Sequence, residues 1–439
     1  MAIVKNIFLT GKISGKQMTR KAITCLSGEV FNNSAVLSWY KSTPFFEAGE
    51  EQNQNEFNEF KIYRKQCDKF EFNKDYAEFF CDLMPNDSDL IFQGSLDCSN
   101  NRKYTFRDSE VEIGKTYAYF VRSKNTQWIG PVPLKVRDSR VWWSYEELCR
   151  QIELLKKDFS KQVKLSICGK TVEGRSIHAL KIGSGKPFLG LVGAVHPGEA
   201  GPELMISALR QFLATNPEIL KFRSILAIPS VNIDVREQLV KGIPWYLRKN
   251  IAGVDLNRNF PADWKVVAKN YGFSSDDRGS ATYRGMYPAS EPETQAVIKF
   301  FLQNTPKCIF SYHALAGICD LPGLTAGGDA ASDKEFCKLA ESYIFAYGSG
   351  LHPELKPNAS WWCNGGTEGG FTRWAWLALN IPAFDMEFSP IIASETHKRC
   401  IADLTDIKLL NEYTERHCHA IKRLMSHDME GGLNESSKN

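Results

Sequence analysis

The sequence predicts a multi-domain chain of two parts. An N-terminal all-β sandwich spans residues 1–140. A C-terminal α/β domain with a mixed, largely parallel sheet flanked by helices spans residues 141–428, and a polar tail at 429–439 is expected to be disordered. Three observations predict this. Short β-like runs separated by polar turns fill the first part, the spacing of an antiparallel sandwich. From Trp143 onward strand-like and helix-like runs alternate, the pattern of an α/β fold. Three apolar runs of the second part end in or just before a His or Glu, where open α/β sheets carry their sites.

In the first part, strands are expected at Ala35 to Tyr40, Phe60 to Arg64, Leu90 to Gly94, Tyr104 to Phe106, Thr116 to Val121 and Val132 to Val136. That is six of about seven. The Trp39 strand, Phe60 to Arg64, Tyr104 to Asp108 and Gly114 to Tyr119 resemble the fibronectin type III family over roughly residues 20–137. The Gln- and Asn-rich insertion Glu47 to Glu59 and a long loop Asn73 to Asp89 depart from that family. No titratable cluster of catalytic type occurs here, so the module is expected to serve packing or interaction.

The second part opens at Trp143. Ser144 followed by Glu147 reads as a capping box starting a helix. Phe188 to Val195 is an apolar run of buried-strand type, followed by His196-Pro197-Gly198-Glu199. Ser224 to Pro229 is a further strand. Lys307 to Tyr312 ends at His313, and Ala383 to Met386 ends at Glu387. Residues 398–425 have helical period, and no internal repeat is visible.

Composition is that of an ordinary globular chain, with 43% hydrophobic and 24% charged residues and a formal net charge of +3. This balance gives no reason to expect nucleic acid or an anionic membrane as partner, and no apolar stretch is long enough to span a bilayer. The twelve cysteines are scattered without a Cys-x-x-Cys pair, which argues against thiolate zinc. With no signal-like start, they favour a reducing compartment, so cytoplasm is expected.

The chemistry gathers at a few residues. A His and a Glu three apart plus a distant His is a common way to hold a catalytic zinc with one corner open to water. His196, Glu199 and His313 fit that pattern. The other histidines, His178, His352, His397, His417, His419 and His427, read as surface or satisfied polar groups. The stretch Gly169 to Ile177 and, above all, Gly253-Val254-Asp255-Leu256-Asn257-Arg258-Asn259-Phe260-Pro261 occur in order with these. Residues 144–428 thereby resemble the zinc metallocarboxypeptidases of the carboxypeptidase A and E/D type, with Gly169 to Ile177 as an opening strand. The resemblance implies one Zn2+ on His196, Glu199 and His313, and Glu387 as general base toward the attacking water. It implies Arg248, nine residues before Asn257, as the group that polarises the scissile carbonyl. It implies Asn257 and Arg258 as the grip on a terminal carboxylate, for which a planar guanidinium is suited.

The chain departs from the digestive and hormone-processing members between Ser360 and Trp376, where no capping Tyr occurs. Counting from Glu387 places Arg373 in the specificity pocket, whereas counting from Gly365-Gly366 places Trp361 at the Tyr position and Glu368 in the pocket. The end of this segment, Leu379 to Pro390, is similar to the murein tripeptide amidases, which release meso-diaminopimelate. The implied partner is a peptide or murein peptide with a free C-terminal carboxylate. Glu368 alone would equally suit a C-terminal Lys or Arg. Two rivals are an aspartoacylase-like deacylase and an inactive module tethered to polysaccharide or cell wall.

Overall fold

The computed structural model describes residues 23–41, 59–67, 80, 83–98, 103–123, 128–199, 201–215, 218–264, 273–313, 323–326, 338–343, 346, 361–363, 367–387 and 407–427. Most of the Glu47 to Glu59 insertion and of the Asn73 to Asp89 loop, His352, His397, residues 398–406 and the polar tail lie outside them. The chain divides into two compact units: Met1–Ser139 with Val240–Trp245, and Arg140–Leu239 with Tyr246–Asn439.

The first unit has seven described strands in two sheets. β1 (Ile23–Phe31), β2 (Ser34–Lys41) and β5 (Lys103–Asp108) form one, in the order β1-β2-β5. β3 (Glu59–Gln66), β4 (Leu90–Ser95), β6 (Thr116–Ser123) and β7 (Ile129–Lys135) form the other, in the order β4-β3-β6-β7. All pairings are antiparallel. Inward residues of both sheets meet in one cluster that includes Leu37, Trp39, Ile62, Tyr104, Tyr119 and Val121. At its centre Phe60 sits edge-on to Trp39 (5.2 Å) and to Tyr104 (4.7 Å), a preferred aromatic geometry. The strand missing from the sequence reading is β1. Leu26, Gly28 and Val30 alternate with the exposed Cys25, Ser27, Glu29 and Phe31, but a glycine at the middle inward position and an exposed Phe31 blur the period-2 signal.

The second unit is built on an eight-stranded sheet. Its strands are β8 (Val163–Lys170), β9 (Ser176–Ile182), β10 (Lys186–Val192), β11 (Arg223–Ile228), β12 (Cys308–His313), β13 (Gly323–Ala326), β14 (Trp361–Cys363) and β15 (Ala383–Glu387). They are ordered β14-β13-β15-β12-β10-β11-β9-β8. The central four, β15-β12-β10-β11, run parallel, so their carboxyl ends share one edge. β9 and β13 pair antiparallel on either side, which makes the sheet mixed. Gly169 to Ile177 is not a single strand: it covers the end of β8, the turn closed by Thr171 N–H to the Arg175 carbonyl (2.9 Å), and the start of β9.

Helices α1 (Tyr145–Asp158), α2 (Pro202–Thr215), α3 (Ile233–Val240), α4 (Pro292–Gln303), α5 (Phe371–Trp374) and α6 (Ile407–Met425) are described. Ser144 caps α1 by accepting from Glu147 N–H at 3.2 Å. The reciprocal half of the box is replaced, because the Glu147 carboxylate accepts from Arg150 and Gln151 instead. On one side of the sheet Phe300 and Phe301 of α4 join Phe260, Phe371 and Trp374 in a core cluster with Val192, Leu226 and Ile309. Phe301→Ala deletes a fully buried ring from this cluster. Truncations of this kind cost about 3–5 kcal/mol, which is expected as a lowered urea midpoint for loss of the second unit's signal.

Candidate metal centre and active site

The central parallel strands deliver their functional side chains at one edge. Past β10 the chain turns through Ala194 at φ 48°, a left-handed conformation costly for an L-residue. The Gly193 and Ala194 carbonyls accept from Val231 and Asn232 N–H (3.1 and 3.0 Å), which holds the turn. His196 and Glu199 follow immediately. His313 is the last residue of β12 and Glu387 the last of β15, and the two are partners in the parallel register.

Among the described residues, His196, Glu199 and His313 form the group that could hold a metal ion, with ligand atoms all within 4.8 Å of one another. All three are buried. The Glu199 carboxylate lies 3.1 Å from His196 Nδ1 through one oxygen and 2.9 Å from His313 Nδ1 through the other. The two Nδ1 atoms are 3.1 Å apart. Two ring nitrogens that close cannot both carry a proton, so at least one of them presents a lone pair there. The far nitrogens are provided for: His196 Nε2 is 3.1 Å from Asp255 Oδ1, and His313 Nε2 is 3.0 Å from Ser311 Oγ and 3.2 Å from Asp385 Oδ1. A ring that donates from Nε2 to a carboxylate presents an unprotonated Nδ1, the usual arrangement of a histidine ligand. Two imidazoles and one carboxylate are the donor set of a catalytic zinc, so the residues fit that ion.

The electrostatics agree. Burial alone would raise the Glu199 carboxyl, but His196 and His313 beside it hold it well below the usual carboxylate range. Burial would lower His313, yet Glu199 and Asp385 raise it well above an ordinary histidine. The pocket is thus arranged for positive charge at the point where the ligand atoms meet.

Arg248 donates from Nε to Asp255 Oδ2 at 2.7 Å. Burial opposes its charge, but Asp255 outweighs this and keeps the guanidinium firmly protonated. Asp255 also accepts from Asn257 N–H at 3.0 Å and so starts the short turn Leu256–Arg258. Asn257 Oδ1 accepts from Phe371 N–H at 2.8 Å. Arg258 is buried, and its Nη1 donates to the Asn257 carbonyl at 2.6 Å. Desolvation pulls its guanidinium below the ordinary arginine value, while Asp255, Asp385 and Glu368 act in the other direction.

Of the two candidate pocket charges, Glu368 is half-buried and near enough to act on Arg258. The next residue, Gly369, has φ 70°, and a Cβ there would stand 2.1 Å from the Arg258 carbonyl oxygen, so only glycine lets the two segments meet. Arg373 is engaged elsewhere: its Nε donates to Asp263 at 2.8 Å. Gly365 and Gly366 themselves and the Trp361 side chain lie outside the described residues.

Three supporting residues escaped the sequence reading. Asp255 was visible only as a letter in its motif, Asp385 as a polar residue inside an apolar strand, and Tyr246 by no signal. Tyr246 donates from its hydroxyl to Glu199 Oε1 at 3.0 Å. Of the remaining histidines, His417 is buried in α6 with Nδ1 2.8 Å from the Tyr413 carbonyl, and burial brings it down to about 3. It is therefore a neutral core group.

Asp255→Asn should weaken zinc binding about 10- to 100-fold, read by competition with a chromogenic chelator. Unchanged affinity would mean that His196 is oriented without Asp255.

The family profile described as zinc carboxypeptidase matches residues 148–395, more than half of the chain. The chain is 27% identical to the carboxypeptidase N catalytic chain of Homo sapiens, over 46% of this chain and 52% of that one. It is 28% identical to murein peptide amidase A of Escherichia coli (strain K12), over 37% of this chain and 59% of that one. It thus spans little more than half the length of these curated relatives. Among solved structures, carboxypeptidase A from Helicoverpa armigera superposes with a TM-score of 0.52 at 16% identity, covering 85% of this chain and 99% of that chain. Bovine thrombin-activatable fibrinolysis inhibitor, in complex with tick carboxypeptidase inhibitor, gives a TM-score of 0.52 at 20% identity, covering 66% and 97%. These two likenesses concern the fold. With the profile match spanning the strand ends that carry His196, Glu199, His313 and Glu387, the chain belongs to the zinc carboxypeptidase family.

Proposed function

We propose that the protein is a zinc-dependent carboxypeptidase that hydrolyses the last amide bond of a peptide. The observation that carries this reading is the register of β12 and β15. It sets Glu387 beside the metal-ligating His313 at one sheet edge. A bound zinc ion would supply Lewis acidity and lower the pKa of water. Glu387 then takes the proton of the attacking water and returns it to the leaving amine. Arg248, locked by Asp255, faces charge developing on the carbonyl oxygen. Asn257 and Arg258 grip the terminal carboxylate and so restrict cleavage to the chain end.

Glu368 close to Arg258 supports selection of a C-terminal residue with a positively charged group. Arg373 paired with Asp263 leaves Glu368 as the pocket charge, which favours a terminal Lys or Arg. The likeness to murein peptide amidase A favours meso-diaminopimelate, whose side chain also carries an amino group. Seven strands in a three- and a four-stranded sheet support the fibronectin type III reading of residues 1–140, with 141–428 as the catalytic domain.

Zinc-loaded protein should release one C-terminal residue from either L-Ala-γ-D-Glu-meso-diaminopimelate or peptides ending in Lys or Arg, tested side by side by mass spectrometry. Bound zinc with neither substrate cut would favour the deacylase or pure-binding alternatives. Glu387→Gln should lower kcat by at least about 100-fold while zinc content stays at one per chain. Arg248→Ala should cost about 10²–10³ in kcat. A change confined to KM would assign Arg248 to substrate binding alone.

A further inference from the structure

The ligand loop His196-Pro197-Gly198-Glu199 is buried and lies between β10 and α2, so neither a sheet ladder nor a helix provides partners for its backbone. Gly198 N–H donates to the Leu247 carbonyl at 3.1 Å and Glu199 N–H to the His196 carbonyl at 3.3 Å. Two carbonyls, those of Pro197 and Glu199, are taken by one side chain. Arg236 Nη1 donates to them at 3.0 and 2.8 Å.

Arg236 stands on α3 and is buried. A guanidinium in that position needs a counter-charge. Glu203, fully buried in the first turn of α2, provides it: Arg236 Nη2 donates to both carboxylate oxygens, at 2.6 and 2.7 Å. Glu203 is fixed in turn, because Oε1 also accepts from Trp143 N–H at 2.8 Å. The Trp142 ring covers the guanidinium, whose carbon lies 4.5 Å from the ring centroid. The fork is therefore divided, with Nη1 serving the loop and Nη2 the carboxylate.

A core does not need such a pair for stability, since apolar residues of similar volume often serve as well. What apolar residues could not do is hold two carbonyls of the loop. One of these belongs to Glu199 itself, whose carboxylate meets His196, His313 and Tyr246 at its other end. The other belongs to the residue directly after His196. We propose that Arg236, held by Glu203, is a positioning residue of the metal centre: it clamps the Pro197 and Glu199 carbonyls and so fixes where His196 and Glu199 stand relative to each other. The inference rests on the zinc reading of His196, Glu199 and His313. Arg236 and Glu203 act through the loop and not on the substrate.

The test uses the full chain. Zinc affinity is read by chelator competition, and the visible bands of the cobalt(II)-substituted protein report ligand geometry. Arg236→Lys keeps a positive charge facing Glu203 but loses the fork. It should weaken zinc about 10-fold and shift the cobalt bands. Arg236→Met leaves Glu203 buried without its partner, so the metal-free protein should melt at a much lower temperature. The double variant Arg236→Met, Glu203→Met removes that stranded charge and should regain much of the lost melting temperature, while zinc stays about 10-fold weaker and the cobalt bands stay shifted. If Arg236→Met alone fails to fold, Arg236→Lys and the double variant carry the test. Unchanged zinc affinity in both, or unchanged cobalt bands in both, overturns the proposal. So does zinc affinity that returns together with the melting temperature, because the pair would then be structural only. Zinc affinity is read without peptide, so zinc binding without hydrolysis by the unsubstituted protein counts against the carboxypeptidase reading alone.

Discussion

A fully buried carboxylate must be neutralised where it stands, and the site is organised by how Asp255 meets that demand. Burial alone would drive it to protonate, but Arg248, His196 and Arg258 outweigh burial and keep it ionised. In return Asp255 meets the His196 ring through Oδ1, fixes the Arg248 guanidinium through Oδ2, and starts the turn carrying Asn257 and Arg258 by accepting from the Asn257 amide. Removing one partner of such a buried pair typically costs about 3–5 kcal/mol, because the charge left behind has no water to fall back on. His196, Arg248 and the turn of Asn257 and Arg258 therefore share one anchor.

The sheet supplies the rest of the geometry. Parallel strands bring carboxyl ends together without further design, and β10, β12 and β15 each spend that end on one functional side chain or ligand loop. Burial makes this arrangement rigid: β12 is buried along its whole length, so His313 has no room to drift. The same burial makes the ligands depend on their neighbours, because each ring nitrogen and carboxylate oxygen has to find a protein partner.

Legibility in the sequence followed how local each signal was. His196, Glu199, His313 and Glu387 are legible as candidates because apolar strand ends are short-range patterns, whereas Arg248, Asn257 and Arg258 enter only through the resemblance carried by Gly253 to Pro261. β10, β11, β12 and β15 read correctly for the same reason, although β10 ends at Val192 and the three residues after it form the turn through Ala194. β1 is hidden because Gly28 takes an inward position and Phe31 an exposed one. The turn between β8 and β9 reads as strand in the sequence, because its Thr171 and Val172 are β-branched and its Gly174 belongs to the motif. The partnership of Arg373 with Asp263 spans 110 residues, and that of Tyr246 with Glu199 spans 47. Neither has a periodic or compositional trace, so only the folded chain reveals them.

The inclusion of Val240–Trp245 in the N-terminal unit bears on the order in which the molecule is made. A sandwich whose strands all precede residue 136 could complete itself as soon as it left the ribosome. Here two of its edge donors, Val30 and Lys135, find their acceptors only after another hundred residues have been synthesised. Until then β1 and β7 present unpaired backbone, the kind of edge on which nascent chains associate. The N-terminal unit is translated before the second but cannot finish before it has begun, because its completion waits on Val240–Trp245, a stretch embedded in the sequence of the second unit.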